Sequence, residues 1–182
     1  MRSWIIAGFL LVVVHGQNVF AQAEEMSEEN NEIKPRHRIA IIIGHTHIPK
    51  GVSGSENQSN LIVPSWGLNY EFWFNERWGI GSHNDMEIST YSIETDDGIM
   101  VERSRPLIMS LVGLFKPNHH LGFLLGFGRE FETHENFYVI RAGIELEFEI
   151  SNNWDLSPGL IYDLKEDIYD SWTIGVAIGK RF

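Results

Sequence analysis

The residues of this chain best equipped for chemistry are histidines, serines and carboxylates at strand spacing. His45-Thr46-His47 sets two imidazoles two residues apart, on one side of an extended segment. His83 and Asp85 repeat that spacing and could bring a third ligand from a neighbouring segment. A zinc-type centre needs three or four ligands at fixed geometry, so two imidazoles alone do not define one. His119-His120 sits in a polar turn and reads as solvated. Acyl transfer would require a hydroxyl nucleophile, a base within hydrogen-bond reach and an orienting group. Ser82-His83 with Asp85 is the nearest cluster of that kind. Adjacent strand residues point to opposite faces, however, so Ser89 or Ser110 would have to reach His83 in place of Ser82. No glycine-rich phosphate loop, nucleophile elbow or helical metal motif is present. The sequence therefore assigns no catalytic, cofactor-binding or metal-binding set, and the expectation is a protein that is not an enzyme.

The elements that must carry these residues lie behind an export signal. Arg2 is followed by an apolar run from Trp4 to Val14 and by the small-x-small pattern Ala21-Gln22-Ala23. This reads as a cleaved secretory signal over residues 1–23. The apolar run is about half the roughly 20 residues a spanning helix needs. No other stretch is long and apolar enough, so a membrane location would have to be reached with strands. Residues 24–36 are rich in Glu and Asn and lack an apolar period, which predicts a disordered acidic lead-in. The chain has no cysteine, excluding disulfides and thiolate metal sites. Its formal charge of −11 argues against nucleic acid, which selects clustered Lys and Arg.

Residues 37–182 resolve into segments of alternating apolar and small or polar residues, separated by turn chemistry. They run His37 to Ile48, Leu61 to Phe74, Trp78 to Tyr91, Glu102 to Phe115, Leu121 to Glu132, Phe137 to Ile150, Trp154 to Leu164 and Trp172 to Phe182. Strict period two predicts strands with one apolar face. Pro, Gly, Asn and Ser fall between them, as in Asn75-Glu76-Arg77 and Ser151-Asn152-Asn153. These segments match or exceed the 9 to 11 residues that cross a bilayer at a tilt, and eight is the smallest strand number of bacterial single-chain barrels. Phe74, Trp78, Phe115, Phe148, Trp154 and Phe182 flank the short turns and predict one aromatic girdle. Tyr91, Tyr138, Tyr162 and Trp172 fall toward the other strand ends and predict a second.

Residue size indicates which face is inside. Gly122, Gly126, Gly128, Gly143, Gly159, Gly175, Ala177 and Gly179 share the face opposite the large apolar residues. Small residues suit the cramped bore of an eight-stranded barrel. Ile140, Ile144, Leu146 and Phe148 would then meet lipid, while Glu71, Asp85, Glu87, Glu145, Glu147 and Asp163 point inward beside Arg38, Arg141 and Arg181. Such enclosed charges must pair or hold water, and a salt-bridged plug is favoured over an ion path. Ile108, Val112, Leu114 and Leu124 break the polar interior pattern and suggest a small apolar pocket, a bulge or a register shift. At the outer ends, Lys50, Arg103, Arg105 and Arg129 are placed to meet lipopolysaccharide phosphates or solvent.

The signal, the alternating segments, the polar turns before Trp78 and Trp154 and the closing Gly179-Lys180-Arg181-Phe182 resemble the small outer-membrane β-barrel proteins of Gram-negative bacteria, a porin-like group. The resemblance covers residues 37–182 and implies an all-β, eight-stranded, antiparallel, up-and-down transmembrane barrel. It implies location in the outer membrane among lipid and lipopolysaccharide, a monomer, and a structural or interaction role in the cell envelope. It also implies that the barrel assembly machinery reads the last strand through Phe182. Lipid-A modification and a soluble periplasmic ligand-binding barrel are the alternatives.

Overall fold

The computed structural model describes residues 36–49, 51–52, 60–94, 100–133, 135–165 and 168–182. The expected signal peptide, all of the acidic lead-in except Arg36, and Lys50 lie outside the described residues. Arg36 already belongs to the first strand. The strands are β1 (Arg36–Ile48), β2 (Gly51–Val52), β3 (Leu61–Trp73), β4 (Trp78–Glu87), β5 (Thr90–Glu94) and β6 (Met100–Ser104). They continue as β7 (Leu107–Phe115), β8 (Leu121–Phe131), β9 (Phe137–Leu146), β10 (Phe148–Glu149), β11 (Trp154–Lys165) and β12 (Tyr169–Arg181).

The large sheet runs β10-β11-β12-β1-β3-β4-β7-β8-β9, and β9 pairs back onto β11. With β10 a short continuation of β9, this is a closed antiparallel ring of eight strands. The seam is the long β1–β12 ladder, from Arg38 opposite Arg181 to His47 opposite Trp172. It is sealed at its end by reciprocal backbone bonds between His37 and Phe182, whose rings stack 5.7 Å apart. Closure leaves no unpaired edge, the condition for strands to cross a bilayer.

Alternation sorts the side chains as expected. Ile41, Ile43, Phe127, Ile140, Ile144, Leu146, Phe148, Ile174 and Ile178 are exposed on the outer surface, with Ile43 68% and Phe127 67% accessible. Arg38, Glu71, Glu87, Arg141, Glu147 and Asp163 are buried in the bore. Apolar residues outside and charges inside invert the arrangement of a soluble barrel. β7 keeps its register, and its inward Val112 and Leu114 pack with Trp73 and Leu124 into one apolar patch of the lumen. The apolar-cluster reading therefore holds for Leu107–Phe115, and the irregularity of the expected fourth segment lies upstream of it, at Arg105-Pro106.

The expected third and fourth segments are each interrupted. β4 ends at Glu87, and the chain resumes as β5 in a second sheet of order β2-β5-β6. The matching break on the return is Arg105-Pro106, where Arg105 adopts a left-handed backbone with φ 48°. Proline lacks an N–H, and the bonds Glu87 N–H to Pro106 O (3.2 Å) and Arg105 N–H to Ser89 O (3.0 Å) replace the regular ladder. Beyond the break the β5–β6 hairpin buries Tyr91 and Ile93 against Ile48, Val63, Phe137 and Tyr169.

Candidate functional site: a charged lumen under an outer cap

The inward faces of the strands build three tiers of ion pairs. At the turn end, which carries the aromatic girdle, Glu147 accepts from both Lys116 and Arg181, and the Lys116 ammonium lies 4.5 Å from the centre of the Trp73 ring. Above it, Arg38 joins three strands. Its Nη1 donates to Glu71 (2.6 Å), its Nη2 to Asp155 (2.6 Å) and its Nε to the other Asp155 oxygen (3.0 Å). The Trp73 indole N–H completes Glu71 at 2.9 Å. A Cβ at Gly179 would stand 2.5 Å from Arg38 Nε and 2.6 Å from Asp155 Oδ1, so a larger residue there would displace this ion pair. Higher still, Arg141 forks onto Asp163 (2.7 and 2.9 Å) and reaches across the bore to Asp85.

Between the two arginine tiers lies a band of polar groups in direct register: Asn69 opposite His83, and His83 opposite Ser110. The Asn69 amide, both His83 nitrogens and the Ser110 hydroxyl make no hydrogen bond within the protein. His83 Nε2 does lie 3.4 Å from Glu71. Buried polar groups of this kind are ordinarily satisfied by water.

The outer mouth is closed by a mixed polar and apolar cap. Lys165 contacts Glu130 (2.9 Å), Glu87 (3.3 Å) and the Tyr169 hydroxyl (3.0 Å). Tyr169 donates to Glu130, with its hydroxyl 2.7 and 2.9 Å from the two oxygens. Tyr91 donates to Glu87. Burial, reinforced by the Glu87 carboxylate, pushes the Tyr91 phenol well above the usual tyrosine range, so it stays a donor. Arg103 pairs with Glu130, donates to the Glu135 carbonyl (2.6 Å) and lies 4.4 Å from the centre of the Phe137 ring. The apolar cluster of Ile48, Val63, Ile93 and Phe137 surrounds this network.

The expected inward charges all face the bore, but several outer-end expectations need correction. Arg103 is fully buried in the cap and is not a rim cation. Tyr91 is also buried and leaves the outer girdle to Tyr138, Tyr162 and Trp172, the last packed 4.6 Å from His47. Arg105 and Arg129 are exposed. Lys116, Glu130, Asp155 and Lys165 are lumen or cap residues that the reading of charges omitted.

The candidate chemistry does not assemble. His45 lies on the outer face with Ile41 and Ile43, whereas His83 is buried inside, so the imidazoles of His45, His47 and His83 do not converge. Among the described residues no group of three His, Cys, Asp or Glu side chains is placed to hold a metal ion. Ser82 points outward and donates to Asn84 (3.2 Å), away from His83. Ser89 donates to the Ile88 carbonyl, and Ser110, though opposite His83, makes no bond to it.

A closed ring of eight antiparallel strands, apolar outside and ionic within, is the fold of the small eight-stranded outer-membrane β-barrels. No protein-family model matches the chain, and no curated protein matches it. Among solved structures it is similar to Ail, the attachment invasion locus protein of Yersinia pestis, in complex with the heparin analogue sucrose octasulfate. That match has 19% identity and a TM-score of 0.55, covering 82% of this chain and 100% of that one. The outer membrane protein OprG of Pseudomonas aeruginosa matches with a TM-score of 0.54 and 9% identity over 80% of this chain and 95% of its own. Neisserial surface protein A matches at 0.50 and 10% identity, covering 80% and 97%.

Proposed function

We propose that this chain is an integral protein of the bacterial outer membrane that acts as a structural or interaction element of the cell envelope, with no catalysis and no transport through its bore. The observation that carries this reading is the inversion of polarity: an apolar outer belt around a lumen filled by its own ion pairs. A pore needs a continuous polar path, but here Arg38 and Arg141 span the bore and the cap over the outer mouth is partly apolar. Function then belongs to the exposed surfaces. The exported chain inserts as a monomer, and β12 through Phe182 is the segment the assembly machinery reads. The polyanion bound by Ail is not carried over, because the outer end here exposes Glu94, Glu102 and Glu135, which repel sulfates.

Fractionation of cells with a heat-modifiability gel tests the location. The expected protein stays in the carbonate-washed outer-membrane pellet and migrates differently boiled and unboiled. Release by carbonate with identical migration defeats the reading. Planar-bilayer recordings of the refolded barrel test the plug, and reproducible unitary conductance would rule it out. Lipid A of unchanged mass with and without the gene is the expected result for a protein that is not a lipid-modifying enzyme.

A further inference from the structure

Arg129 is the one described arginine that projects from the outer face of the barrel strands within reach of aromatic rings. It lies on β8 with Leu125 and Phe127, opposite Met109 on β7 and Tyr138 on β9. Its guanidinium carbon lies 5.3 Å from the centre of the Tyr138 ring and 5.9 Å from that of Phe131. Those contacts set the guanidinium beside two rings, which accept none of its N–H groups as a carboxylate would and so leave its donors for another acceptor. Among the described residues no ion pair involves it, in contrast to Arg38, Arg103, Arg141 and Arg181, each of which meets a carboxylate.

Its height fixes the partner. Arg129 is eight residues beyond Leu121 at the turn end, which at about 3.3 Å per residue and a tilt of about 45° is roughly 19 Å up the barrel. That is the upper part of an apolar band about 25 Å tall. Below it toward the turn end, Leu125, Phe127, Leu111 and Ile140 are all exposed. A ligand that satisfies both features carries a phosphate above and acyl chains below. A free anion would leave the apolar surface unused.

We infer that Arg129, held by Tyr138 and Phe131, binds the phosphate of an outer-leaflet lipid whose acyl chains lie along Leu125, Phe127 and Ile140. The inference rests on the outer-membrane reading above and adds a defined lipid site to it. Guanidinium pairs phosphate through two parallel N–H donors, so position and orientation are both specified.

The test titrates the folded, detergent-solubilised full chain with bisphosphorylated lipid A and scores adducts by native mass spectrometry. Fully dephosphorylated lipid A and inorganic phosphate are the comparison probes. Wild type is expected to prefer the phosphorylated lipid, Arg129→Gln to lose on the order of tenfold or more in affinity, and Arg129→Lys to retain part of it. Lys180→Gln serves as the control: its ammonium also lies over a ring, Trp154, but already donates to the Asn152 carbonyl, and affinity should be unchanged. Equal binding by Arg129→Gln and wild type overturns the site, as does equal binding of dephosphorylated lipid A. Displacement of the lipid by millimolar inorganic phosphate overturns the lipid as the source of the anion. A heat-modifiable band from every variant assigns a negative result to this site, whereas wild type missing from the outer-membrane pellet would instead defeat the location.

Discussion

Replacing Arg141 separates a packed ionic plug from a hydrated channel, because the two cases assign very different energies to one side chain. Arg141 is 1% exposed and holds Asp163 at 2.7 and 2.9 Å, while its other nitrogen crosses the bore to Asp85. Arg141→Met keeps much of the volume but leaves two carboxylates facing one another without a counter-charge. Breaking a buried pair by removing one partner costs about 3–5 kcal/mol, mainly from the stranded charge. With a urea dependence of about 2 kcal/mol per molar, the unfolding midpoint should fall by roughly 1.5–2.5 M. Reversible urea unfolding in phospholipid vesicles, followed by tryptophan fluorescence and by the unboiled gel band, reads this shift. The triple variant Arg141→Met, Asp85→Asn, Asp163→Asn removes the stranded charges together and should recover most of the loss. A single-variant cost below about 1 kcal/mol would show that water already screens these groups. The bore would then be aqueous, and the assignment of a non-conducting barrel would fail with it.

Four further outcomes follow from the same geometry. Gly126→Ala should destabilise by about 1–3 kcal/mol in the same unfolding assay, because its Cβ would collide with the Leu111 carbonyl and Val112 side chain. Gly113→Ala, facing outward with its nearest neighbour 3.7 Å away, should change stability by no more than about 0.5 kcal/mol. Tyr169→Phe removes the hydroxyl shared by Glu130 and Lys165 and should cost about 1.5–3 kcal/mol, seen first as faster proteolysis of the outer cap before the barrel unfolds. Ile41→Arg puts a charge on the outer belt at a residue 57% exposed, and should cost about 2–4 kcal/mol in a bilayer while leaving detergent folding intact. Equal tolerance in both solvents would mean that this face does not meet lipid.

Most of the barrel was legible because a single period governs it. The alternation that puts Ile144 out and Glu145 in continues along each strand, and glycine on the inner face distinguishes lumen from surface. The same rule reaches residues that were assigned to turns. Lys116 continues the inward phase of Val112 and Leu114, and Lys165 that of Ile161 and Asp163. Tyr91 shares the inward phase of His83 and Glu87, so its parity places it inside although its position near a strand end suits a girdle.

Arg103 is a different case, and it shows where periodicity stops carrying information. The inward residues of β7 are even-numbered, Ile108 to Leu114, so counting back along the chain into β6 puts Arg103 outside. The left-handed backbone at Arg105, next to Pro106, shifts the phase by one, and Arg103 turns in to Glu130. Nothing in residue type announces that conformation, since arginine has no preference for positive φ. The backbone step has an energetic reason that only the folded chain contains. Arg103 satisfies Glu130 and covers Phe137, so one strained residue closes the ion network of the cap. The arginine beside it, Arg105, is left in solvent. A charge's distance along the chain from a rim therefore did not decide between lipid-facing and buried roles; the local dihedral did.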